Sequence, residues 1–111
     1  MLSTKLLAKI DEIAKLEENW NGYGSMPISN NVIRNLKTVL DCLPFEPNLF
    51  PTGRNSVQME YFANIDKDGV EIEIFNDFAS YDLIRNGDYI IEDETITIED
   101  AVALLLDFYY R

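Results

Sequence analysis

The apolar residues of this chain change period twice, and that constrains the fold more than any single motif. Up to Leu43 they recur every three or four residues; between Val57 and Ile74 they alternate with polar ones; from Ile98 onward the helical spacing returns. A helix turns about 100° per residue and a strand about 180°, so each pattern puts its apolar residues on one side of only one kind of element. The expected class is therefore α+β, with helices at both ends and a sheet between them.

The first helix is predicted from Leu2 to Asn19, with Leu6, Ile10, Ile13 and Trp20 as its apolar stripe and Leu2, Leu7, Ala14 and Leu16 widening it. Ser29 makes an N-cap for a second helix, on which Val32, Ile33, Leu36, Val39, Leu40 and Leu43 share a face and which Pro44 ends. The two are expected to form a hairpin. The stretch FEPNLFPTGRN has no period, two prolines and a glycine, and reads as a connection. In SVQMEYF and VEIEIF the alternation predicts two half-buried strands joined through a turn at NIDKDG. Asn86-Gly87, between SYDLI and DYII, predicts a second hairpin with a type I′ turn. Thr97 and Asp100 stand in capping-box spacing at the start of a last helix, TIEDAVALLLDFYYR.

The expectation is one domain over residues 1–111, in the order ααββββα: a helical hairpin at 1–43, a connection at 44–55, a four-stranded antiparallel meander at 56–97 and a C-terminal helix at 98–111. That last helix is apolar nearly all round. Two readings stand: it is sandwiched between the sheet and the hairpin, or it builds a homodimer.

Charge narrows the function. With 20 Asp and Glu against 9 Lys and Arg the net charge is −11, which repels phosphate backbones and anionic lipid, so neither direct nucleic-acid binding nor membrane binding is expected. The charge serves solubility, or it suits a partner with a basic surface. One cysteine, Cys42, allows no internal disulfide, and no apolar run is long enough for a signal peptide core or a membrane span, so a cytoplasmic protein is expected. The chain has no histidine, which removes the usual general base, the Cys-His pair and most zinc sites; no cofactor and no catalytic constellation can be named, and the expectation is a non-enzyme.

The sheet offers the candidate site. If Val57, Met59 and Tyr61 face the same way as Val70, Ile72 and Ile74, Glu60 must lie across from Glu71 or Glu73, and Asp82 on the next strand joins them. Like charges directly opposite each other destabilise a strand pair, so the face is either a solvated surface tolerating its repulsion or a surface that a cationic partner covers. A second candidate is the loop NWNGYG, where Trp20, Asn21 and Tyr23 grip a ligand or simply turn a corner on Gly22 and Gly24. Asn64, Asp66, Asp68 and Gly69 imitate the opening of a calcium loop, but its twelfth position is Phe75 in place of a bidentate glutamate, so no metal is assigned.

Three segments, NWNGYGSMP, PTGRNSVQMEY and VEIEIFND, together resemble a family of small bacterial proteins with the patterns W-[DN]-x-Y-G-A-x-P, P-T-x-x-G-x-x-L-E-W and L-E-I-E-I. Trp20, Gly22, Tyr23, Gly24 and Pro27 match the first, with Ser25 for alanine. Pro51, Thr52 and Glu60 match the second, with Tyr61 for tryptophan and without its glycines, and Glu71 and Glu73 match the third. The resemblance implies that the three glutamates belong to the family pattern; it brings no activity or ligand with it. The functional expectation is a small acidic protein-binding protein, an immunity or antitoxin-like or nucleic-acid-mimicking inhibitor of a basic partner. The alternatives are a small-ligand or divalent-cation module and a structural homodimer.

Overall fold

A computed structural model describes residues 2–63 and 67–110. Among them are three helices and five strands: α1 Thr4–Ala14, α2 Asn30–Asp41, β1 Asn48–Thr52, β2 Ser56–Phe62, β3 Gly69–Ile74, β4 Ala79–Arg85, β5 Asp88–Ile96 and α3 Ile98–Tyr109. The strands pair in chain order, each antiparallel to the next, as a meander.

The expected four strands become five. β1 lies inside the stretch 44–55 that reads as a connection, because Pro47 and Pro51 hide a short alternation in which Leu49 is buried and Phe50 exposed. Pro51 is admissible there because β1 is an edge strand, where a missing N–H leaves a ladder bond unmade on only one side at most. Asn55, at φ 58°, tightens the return into β2.

α1 is shorter than its apolar pattern. It starts at the N-cap Ser3, whose Oγ accepts from the Leu6 N–H, and ends at Ala14, short of the expected Asn19. Asn19 adopts φ 63°, which no helix continues through, so Trp20 falls off the helix stripe and onto the following loop. The expected hairpin is accordingly loose: α1 and α2 touch, but a looped segment, not a tight corner, joins them. Ser29 and Thr97 do cap α2 and α3. Asn86 and Gly87 take φ 51° and 82°, the left-handed pair that a type I′ turn needs.

One face of the sheet meets the helices. Val57, Met59, Val70, Ile72 and Ile74 pack with Ile10, Val32, Leu36, Val39 and Leu105, all at 2% exposure or less. Burying each such side chain contributes about 1.5–3 kcal/mol relative to leaving it in water. α3 contacts α2, β3 and β4, so it lies beside α2 on the sheet and is not sandwiched between layers. Its apolar circumference is used unevenly: Ala101, Leu105 and Phe108 are buried, Val102, Leu104 and Leu106 half-buried, and Tyr110 exposed. β5 is longer than β4, and register shifts around Leu83 absorb the excess, with Asp93 at φ 54°. Among the described residues the opposite sheet face carries no helix. Residues 64–66 of the NIDKDG turn lie outside the described residues, and among the described residues no helix is long and apolar enough to cross a membrane.

Candidate binding face

The site is a consequence of register. Val57 pairs with Ile74 and Met59 with Ile72 on the core side, which forces the intervening residues outward. Glu60 then stands opposite Glu71, and Glu71 opposite Asp82, in a row of three carboxylates across β2, β3 and β4. Neighbouring strands are about 4.8 Å apart, so each carboxylate sits within reach of the next. Three of the four expected acidic residues are thus brought together.

Polar groups support the row without neutralising it. Gln58 Nε2 donates to Glu60 Oε2 at 2.9 Å, the Tyr89 hydroxyl to Glu71 Oε1 at 3.2 Å, and the Asp93 N–H to Asp82 Oδ1 at 2.7 Å. Among the described residues no lysine or arginine is ion-paired with Glu60, Glu71 or Asp82. Partial burial, with the neighbouring carboxylates Asp82 and Glu60 adding to it against the Tyr89 hydrogen bond, pushes the Glu71 carboxyl up to about 7. Burial and the facing Glu71 also push the Tyr89 phenol above its ordinary value.

Glu73, the fourth expected residue, is committed elsewhere. It lies in the next row, opposite Gln58 and Ser80, and is buried. Arg54 reaches it from the β1–β2 turn with Nε at 2.7 Å from Oε2 and Nη2 on Oε1, a bidentate pair, while the Ser56 hydroxyl also donates to Oε2. Burial alone raises this carboxyl, but the Arg54 and Ser56 hydrogen bonds outweigh it and hold Glu73 below the usual range. Arg54 also lies over the Phe75 ring, 5.3 Å from its centroid. Sequence reasoning missed Arg54, whose 19-residue separation from Glu73 gives no periodic signal. Between the pair and the acidic row the sheet is dished into a depression of about 350 Å³, lined by Arg54, Gln58, Asp82, Tyr89, Glu92 and Asp93 among others.

The NWNGYG loop is a self-bonded corner. Asn19 donates its N–H to Ser25 O at 2.8 Å and accepts from the Gly24 N–H at 2.7 Å; Asn21 Oδ1 accepts from the Tyr23 N–H at 2.8 Å; the Trp20 indole donates to Met26 O at 2.9 Å. Trp20 and Asn21 are therefore spent on the loop itself, while Tyr23 is 91% exposed. The loop rests on the β1–β2 turn, where the Met26 N–H donates to Gly53 O and the Ser29 N–H to Asn55 Oδ1. The segments NWNGYGSMP, PTGRNSVQMEY and VEIEIFND thus meet in space, and the first braces the turn that delivers Arg54 to Glu73.

Cys42, at the C-terminal cap of α2, is exposed. Among the described residues no three acidic or cysteine side chains converge as a metal site. No family model, no curated protein and no solved structure matches this chain.

Proposed function

We propose that the helix-free sheet face is the docking surface of a small, non-enzymatic protein-binding protein whose partner presents a basic surface. The observation that carries this reading is the Glu60, Glu71, Asp82 row: three carboxylates in lateral register, with no lysine or arginine paired to them among the described residues, in a protein of net charge −11. Cross-strand repulsion of this kind costs stability that a solvent-exposed sheet could avoid by a single lysine. A basic partner removes the repulsion on binding, and the field of the whole chain speeds the encounter. An antagonist of a nucleic-acid-acting protein, occupying the groove that a phosphate backbone would take, is the form of this function that the charge suits best.

The experiment is capture of partners from native cell lysate by the wild-type protein and by a Glu60→Lys, Asp82→Lys variant. Glu73 stays unchanged because Arg54 depends on it. One protein held by the wild type, released by salt and lost by the variant is the expected result; equal capture by both forms rejects this face as the site.

A further inference from the structure

We propose that the groove between α1 and β1 receives an extended, acidic peptide segment of a partner protein, a second surface opposite in sign to the sheet face. The groove encloses about 360 Å³. Leu6, Pro47 and Leu49 form a buried floor, and Phe50, 48% exposed, stands at its rim. Lys5 and Lys9 line it from α1, four positions apart and therefore on one side of the helix.

Lys5 is placed against a local rule. Lys5 sits in the first turn of α1, where the helix dipole disfavours positive charge, and that turn holds no acid; α3 has the ordinary arrangement, with Glu99 and Asp100 in its first turn. Although acids outnumber cations 20 to 9, neither lysine is ion-paired among the described residues. Glu46, also on the groove, accepts at Oε2 from the Ser3 N–H at 3.3 Å. Two lysines against the one carboxylate of Glu46 leave the groove net positive on a strongly acidic protein, beside apolar floor. An anionic group joined to an apolar one complements both.

The strand edge selects a peptide as the occupant. Among the described residues β1 pairs with β2 alone, so its other edge is open to an added strand. Pro51 has no N–H to offer, so an added strand must draw donors from the Asn48–Phe50 end, which is the end lining the groove. On the side of an added strand that faces α1, residues two positions apart, one apolar and one acidic, would then meet the Leu49 floor and the lysines together.

The test is an amide-resolved NMR titration with a short capped peptide in which valine and glutamate stand two positions apart with threonine between them, its counterpart with glutamine for glutamate, and octanoate. Expected are shifts at Asn48, Leu49, Phe50 and α1 with the glutamate peptide, retained in Lys5→Arg, Lys9→Arg and weakened roughly tenfold in Lys5→Gln, Lys9→Gln, as for two exposed ion pairs. Both lysines are exposed, so these variants keep the fold, which the unperturbed amides of the sheet verify. Equal shifts with the glutamine peptide, shifts indifferent to the glutamine variants, or no shifts at millimolar peptide overturn the proposal. So do shifts with octanoate alone, which would make a small amphiphilic anion the occupant.

Discussion

Arg54 and Glu73 form a bidentate ion pair in which the carboxylate is buried and the guanidinium is 62% exposed. The asymmetry decides what mutation does. Arg54→Gln leaves a buried carboxylate with only hydroxyl partners, and the loss is expected to be about 1–3 kcal/mol by urea unfolding near neutral pH. Because Glu73 is held below its unfolded value of 4.5, its contribution is present above that value and lost as pH falls through the folded one. The Arg54→Gln deficit should therefore shrink in acid; a deficit independent of pH assigns it to lost packing on Phe75 instead.

Glu71 behaves in the opposite sense. Its folded pKa of about 7 lies above the ordinary value of 4.5, so the folded state holds the proton more tightly, and this stabilisation is complete below 4.5 and lost as pH rises through 7. Glu71→Gln removes that slope. It is expected to stabilise the protein at about pH 8 by roughly 0.2–1 kcal/mol for each like-charged neighbour and to be near-neutral in acid. Carbon-detected titration of the Glu71 carboxyl in the wild type checks the same point directly.

Gly69 lies directly across from Phe62, whose ring covers it: a Cβ on Gly69 would stand 2.2 Å from Phe62 Cδ1 and 2.4 Å from Cε1. Gly69→Ala is expected to cost about 1–3 kcal/mol by displacing the ring. The cost should fall in a Phe62→Ala background, so a double-mutant cycle with no coupling would refute the ring as its cause.

The corner reading of the Trp20 loop separates its aromatics. Trp20→Phe loses the indole bond to Met26 O and should cost about 0.5–1.5 kcal/mol, whereas Tyr23→Ala, at a fully solvated side chain, should fall within about 0.5 kcal/mol of wild type. Thermal unfolding of both variants measures this.

Local chemistry was sufficient to place much of this protein. Period identified α2, β2, β3 and α3, Ser29 and Thr97 announced their helices, Asn86-Gly87 announced its turn, and strand alternation alone required Glu60 to face a glutamate, because side chains two apart share a face. What depends on partners distant in the chain was not legible. β1 exists because β2 pairs with it, although Pro51 and the preceding Pro47 suppress the pattern; α1 stops early because Asn19 closes a loop onto Ser25 and Gly24. Glu71 and Glu73 stand two residues apart on one strand and look equivalent in sequence. Tertiary structure divides them by bringing Arg54 to one and two further carboxylates to the other, since electrostatic environment is set by distance in space and not along the chain.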